Sequence, residues 1–174
     1  QLQISRCAAI TQQILKFGRQ SEPKPLDIDL QNFIPEIISM VAKKASVHGI
    51  SIEQDVAEDT PPIHADSTQL QQVILNLCNN AMDAIADRHG TAGGEMLVQT
   101  GPEENGNVKI LVKDNGAGIS PEDLEKIFSP FFTTKPVGQG TGLGLSVCHG
   151  IINDMGGKME VSSAKDMGTT FTIH

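Results

Sequence analysis

The stretch Thr68–Ala86, TQLQQVILNLCNNAMDAIA, is the one against which every other motif of the chain makes sense. On a helical wheel Leu70, Val73, Ile74, Leu77, Cys78, Ala81 and Ile85 share one broad apolar arc, and Gln69, Gln72, Asn76, Asn80, Asp83 and Asp87 gather opposite. The arc predicts a helix packed on a core. The polar face is the odder half, because a face that meets only water is usually built from Lys and Glu, whereas Asn is a poor helix former. Asn76, Asn80 and Asp83 stand at i, i+4 and i+7, so their oxygens line one edge of the helix. An ordinary solvated face is the simpler reading of this helix alone, and the segments downstream argue against it.

A chain of 174 residues suits one domain with a real core and a small appendage. Its formal charge of −8 argues against nucleic acid or an anionic membrane as the main partner. No signal peptide or bilayer-length apolar run is seen, so this stretch is expected to be soluble and cytoplasmic, with room for a membrane anchor elsewhere in a parent protein. Cys7, Cys78 and Cys148 are widely spaced and odd in number. They read as small core residues in a reducing compartment, not as a metal site or disulfide framework.

In chain order, residues 1–20 read as the end of an amphipathic helix, with Cys7, Ile10, Ile14 and Phe17 spaced as on a bundle seam. The pattern starts without a cap, as expected of a piece of a longer protein. The segment 21–25 is a linker, and 26–174 the main domain. Leu26–Leu30 alternates like an edge strand, Phe33–Val47 is helical, and Ile50–Val56 alternates again. Pro61-Pro62 turns the chain toward the central helix, capped by Asp66 or Ser67. After a polar loop over Asp87–Gly94, Met96–Thr100 and Val108–Lys113 form a hairpin. Helices are predicted over Pro121–Ile127 and Leu143–Met155, and closing strands over Lys158–Ser162 and Thr169–Ile173. This order predicts an α+β fold, with helices on one face of a mixed, mostly antiparallel sheet.

Three later segments carry chemistry. In Lys113-Asp114-Asn115-Gly116-Ala117-Gly118-Ile119 a strand delivers an acid into a turn whose glycines let a ligand approach the backbone. A carboxylate there accepts a hydrogen bond from an exocyclic amine such as adenine N6, while guanine would present a lone pair. Asp-x-Gly-x-Gly is also a common structural turn. Ile127-Phe128-Ser129-Pro130-Phe131-Phe132-Thr133-Thr134-Lys135 holds half of the six phenylalanines. Phe128 reads as a core plug, Phe131 and Phe132 as the hinge of a flap, and Lys135 as a cation for a phosphate. Gly138-Gln139-Gly140-Thr141-Gly142-Leu143-Gly144-Leu145 puts glycine at every second position before a helix, a flexible loop whose amides can hold anions. It is neither a Walker A loop nor a dinucleotide fingerprint, and the chain lacks the eukaryotic protein-kinase motifs.

Together and in this order, the segments resemble the ATP-binding domain of two-component sensor histidine kinases, of the GHKL superfamily with its Bergerat fold. Asn76-Leu-Cys-Asn-Asn80-Ala is similar to the N box, Asp114-Asn-Gly-Ala-Gly118 to the G1 box, Phe128-Ser-Pro-Phe-Phe132 to the F box, and Gly140-Thr-Gly-Leu-Gly144-Leu to the G2 box. The opening helix resembles the end of the dimerisation and phosphotransfer helix. Asp83 and Thr-Thr-Lys135 lean toward the branch of nitrogen-regulatory sensors.

The resemblance implies ATP and Mg²⁺ as ligands, with Asn80 on the metal and Asn76 assisting. It implies Asp114 reading adenine beside Gly116, Gly118 and Ile119. Phe131, Lys135 and the loop Gly140, Thr141, Gly142, Leu143 and Gly144 would close over the phosphates, Asp83 would be a further nucleotide-binding residue, and Thr169 or Thr170 would lie under the base. It implies partners too: a histidine-bearing dimerisation domain, a response-regulator receiver domain, and a homodimeric parent. The ATPase members of the superfamily carry Glu where this chain has Asn76, and an amide is no general base. None of His48, His64, His89, His149 or His174 is followed by an acid, as the family's phosphoacceptor is. Ala84 stands where many relatives have a larger side chain. The alternatives are an anti-sigma-like serine kinase or other regulatory module, and an ATPase of the same superfamily, which Asn76 disfavours.

Overall fold

The computed structural model of the chain describes residues 24–136 and 140–174. The expected helix over 1–20 and residues 21–23 of the linker lie outside them, as do Gly138 and Gln139 of the glycine loop. The elements are β1 (Leu26–Ile28), α1 (Leu30–Val47), β2 (Ile50–Val56), β3 (Ile63–Ala65), α2 (Ser67–His89), β4 (Gly94–Pro102), β5 (Val108–Asp114), α3 (Pro121–Leu124), α4 (Gly144–Asp154), β6 (Met159–Ala164) and β7 (Gly168–Ile173).

The strand expected over Leu26–Leu30 ends at Ile28, because Asp29 caps α1, its carboxylate accepting from Gln31 N at 2.9 Å. β3 was not expected; it pairs antiparallel with β1 as a separate two-stranded ribbon. The polar loop foreseen from Asp87 starts later, since α2 runs on to His89. The helix foreseen over Pro121–Ile127 stops at Leu124.

The main sheet has the order β2-β4-β5-β7-β6, with β2 and β4 parallel and the other pairs antiparallel. The parallel pair is what a crossover through α2 produces. Register stacks the inward residues in rows: Met96, Asp114 and Thr169 in one, Val98, Val112 and Phe171 in the next, Thr100, Ile110 and Ile173 in the third. All nine are buried. Helices α1, α2 and α4 cover that face, and alternate residues such as Lys113 point the other way.

α2 is the axis of the core. Asp66 caps it, accepting from Gln69 N at 2.9 Å, and Gly90 ends it with φ of 60°. Its buried residues are the seven of the apolar arc plus Met82. Each large aliphatic side chain buried so contributes about 1.5–3 kcal/mol. The packed side of α2 therefore holds its opposite side rigidly in place.

Candidate functional site

A groove of about 420 Å³ runs between that opposite side of α2, the loop after β5, and the segments around residues 127–135 and 140–145. Its floor is the end of β5. Asp114 is only 5% exposed, and its Oδ1 accepts from Gly116 N at 2.8 Å and Thr169 N at 3.3 Å. Burial pushes its carboxyl above the ordinary value of 3.8, and those two backbone donors pull it part of the way back. Oδ2 carries no hydrogen bond among the described residues. A desolvated carboxylate with one oxygen engaged and one unengaged is built to accept a bond from outside the protein.

Thr169 lines the groove beside Asp114, whereas Thr170 has the opposite parity on β7 and does not. The Ser163 hydroxyl lies 2.9 Å from Thr169 Oγ1 and accepts from Ile119 N at 2.8 Å, so it fixes both groove residues at once.

On α2, Asn76 and Asn80 line the wall. Asn76 Nδ2 donates toward Cys148 Sγ at 3.5 Å, while the Asn80 amide makes no hydrogen bond among the described residues. Cys148 and Cys78 are fully buried, and burial raises their thiols to about 11 and about 12, as inert core residues require. The small side chains of Ala81 and Ala84 leave width in the groove. Asp83 lies off the wall; its Oδ2 accepts from Lys135 Nζ at 2.5 Å.

The loop after β5 is pressed between α2 and the β6–β7 turn. A Cβ on Gly116 would stand 2.5 Å from the Ala84 carbonyl carbon, so this glycine admits the helix backbone and lies behind the groove wall. Gly118 does line the groove; at φ of +67°, a Cβ on it would meet Ala164 O at 2.0 Å. Ala117 N donates to Ala84 O at 2.9 Å and Ala117 O accepts from Asp166 N at 2.7 Å. Arg88 Nη1 at 2.8 Å and His89 Nε2 at 2.9 Å both hold Asn115 O.

On the outer side, Lys135, Gly140, Thr141, Gly142 and Gly144 line the groove, while Leu143 precedes α4 off the wall. Phe131 is 64% exposed with φ of 68°, and Gly142, itself at φ of 68°, lies so close that a Cβ would be 2.3 Å from the Phe131 carbonyl carbon. Phe128 is half-buried, its ring 4.7 Å from that of His149. Groove residues that sequence reasoning did not single out as ligands include Phe132, Thr133 and Thr134, which lie within the quoted aromatic segment, and the acids Asp87 and Asp123.

Chemically, the groove offers one buried carboxylate for a base, backbone amides at a helix start for anions, and one lysine. Among the described residues there is no group of three or more His, Cys, Asp or Glu able to hold a metal, and the wall of α2 offers a hard divalent ion the amide of Asn80, which makes no hydrogen bond among the described residues. That set fits Mg²⁺ bound mainly through phosphate oxygens and water.

Residues 65–174 match the family described as histidine kinase-, DNA gyrase B- and HSP90-like ATPases. The sensor kinase CckA of Brucella abortus (strain 2308) is 36% identical across 97% of this chain, which spans 19% of that protein's length. The nucleotide-free catalytic domain of histidine kinase ThkA superposes with a TM-score of 0.73 at 34% identity, over 86% of this chain and 93% of that one. ThkA in complex with the response regulator TrrA gives 0.77 at 28% identity, over 98% and 47%. Full-length ShkA in complex with AMPPNP gives 0.77 at 27% identity, over 88% and 31%. The chain therefore belongs to the histidine kinase-, DNA gyrase B- and HSP90-like ATPase family and, within it, to the sensor-histidine-kinase type of catalytic ATP-binding domain.

Proposed function

We propose that this chain is the catalytic part of a cytoplasmic two-component sensor kinase, passing the γ-phosphoryl group of ATP to a histidine on a dimerisation domain, for relay to a receiver-domain aspartate of a response regulator. The parent acts as a homodimer. The observation that carries the reading is Asp114, a buried carboxylate with an unengaged oxygen at the floor of a groove wide enough for a nucleotide.

In this reading Asp114 Oδ2 accepts from the adenine amine, with Thr169, Gly118 and Ile119 around the base. Asn80 holds Mg²⁺, which when bound neutralises phosphate charge and orients the terminal phosphoryl group. Lys135 and the amides of Gly140, Thr141, Gly142 and Gly144 meet the phosphates. Asn76 faces the same space as an amide, unable to take a proton from water, so hydrolysis is slow and the phosphoryl group waits for its acceptor. The chain's work is positioning and charge neutralisation. The likenesses to ShkA with AMPPNP and ThkA with TrrA support nucleotide and response-regulator partners of this kind.

The test is a titration with an ATP analogue with and without Mg²⁺, followed by mixing the chain with a separate dimerisation domain and labelled ATP. Label is expected on the dimerisation domain's histidine and not on this chain. A fast Mg²⁺-dependent ATP hydrolysis by this chain alone, lost in Asn76→Ala, would move the assignment to an ATPase.

A further inference from the structure

The groove has a shortage of positive charge. Among its described lining residues Lys135 is the one Lys or Arg, against the carboxylates of Asp87, Asp114 and Asp123. That one cation is already committed. Lys135 Nζ donates to Asp83 Oδ2 at 2.5 Å, and Asp83 lies off the groove, on the flank of α2 that faces α1. Lys44 of α1 stands 3.9 Å from Asp83 Oδ1, while its own hydrogen bond goes to Asn79 Oδ1 at 2.8 Å. Lys135 is thus the nearer of the two cations at Asp83, and Lys44 only flanks it.

Resting on the nucleotide reading above, we infer that Asp83 is an affinity-setting residue: it occupies the ammonium of the groove's one lining lysine, and a phosphate must compete with that pair before Lys135 can serve it. Asp83 acts through Lys135 and touches no ligand. Its effect follows from competition. A protein whose binding-competent arrangement is only partly populated binds more weakly by that fraction. Both side chains of the pair keep partial solvent access, 29% for Lys135 and 42% for Asp83. Pairs of this exposure hold their partners modestly, so freeing Lys135 tightens phosphate binding by about two- to fivefold. The pair also ties the outer wall of the groove to α2, because Gly140 lies against the Lys135 stem, where a Cβ would be 3.3 Å from its Cβ and Cδ.

Asp83→Asn keeps the shape and removes the charge. Dissociation constants for ATP, ADP and adenosine, measured by calorimetry with Mg²⁺, give the test. Asp83→Asn is expected to tighten ATP by about two- to fivefold, tighten ADP less, and leave adenosine unchanged. In a Lys135→Ala background the same change is expected to do nothing. Weaker ATP binding by Asp83→Asn would make Asp83 a supporting ligand and overturn the inference. So would equal tightening with and without Lys135, which would reduce Asp83 to a general repulsive charge. A chain that binds no ATP at all in its unmodified form sinks the nucleotide reading; one that binds ATP while Asp83→Asn stays silent sinks this inference alone.

Discussion

Two glycine-bearing loops border the same groove, and they are made in opposite ways. The loop over residues 115–118 is held on every side: Asn115 O by Arg88 and His89, Asn115 N and Oδ1 by the backbone of Glu95, Ala117 by Ala84 and Asp166. Over residues 140–143, hydrogen bonds among the described residues run within the segment or into the start of α4. Glycine admits a close backbone neighbour in both, Ala164 at Gly118 and Phe131 at Gly142; what differs is that hydrogen bonds from other elements clamp the first loop. A pocket that reads a base needs a fixed floor, and one that admits phosphates needs a wall that yields.

The comparison breaks most visibly at Gly118. Gly118→Val adds a branched side chain at φ of +67°, against Ala164 O. A cost of about 3 kcal/mol is expected, lowering Tm by about 6–12 °C in a scanning calorimeter. A melt within about 2 °C of the unmodified chain would show that the first loop is not clamped. Next in size is Asp114→Asn. Losing the acceptor proposed for the adenine amine should weaken ATP binding by about ten- to a hundredfold and erode discrimination against GTP. The same change should raise Tm at neutral pH, because it removes a desolvated charge. The Asp114 carboxyl titrates above its ordinary 3.8 in the fold, so its stability contribution is complete below that value and lost as pH rises through the folded one. The Tm advantage of Asp114→Asn should therefore be full at neutral pH and shrink as the solution is acidified; an advantage that grows in acid would contradict the shift.

Smaller effects should come from the yielding wall. Gly142→Ala, at φ of +68° against Phe131, is expected to weaken ATP binding by about three- to tenfold while moving Tm by less than about 3 °C, since the segment can shift to relieve the strain. Gly144→Ala meets nothing within 4 Å and sits at the start of α4. It should leave the melt within about 2 °C of the unmodified chain. If Gly142→Ala lowered Tm as far as Gly118→Val, the two loops would be equally rigid.

How much of this is legible in the sequence depends on whether the cause is local. The arc of α2 is legible because burial repeats with the helical period, and Met82 escapes only by sitting at the edge of the arc. Asn80 and Asp114 are visible as polar residues in apolar company. β3 is not, since three residues between Pro61-Pro62 and the Asp66 cap are too few for any period to register. Asp29 reads as a strand residue in the sequence because alternation and a helix cap look alike over five positions. Asp123 hides inside a helix start, where the Ser120 hydroxyl donating to its Oδ2 at 2.9 Å is the ordinary use of such an acid. The choice between Thr169 and Thr170 was open to parity, since Thr169 alternates in step with Phe171 and Ile173. The pairing of Lys135 with Asp83 joins residues 52 positions apart, and no local pattern carries it.

β7 enters the sheet between β5 and β6, and its Thr169 N is one of the two donors that hold Asp114. The floor of the groove is therefore complete only once β7 has paired with β5, so a contact made near the C-terminal end of the chain finishes a site whose buried carboxylate is laid down 55 residues earlier.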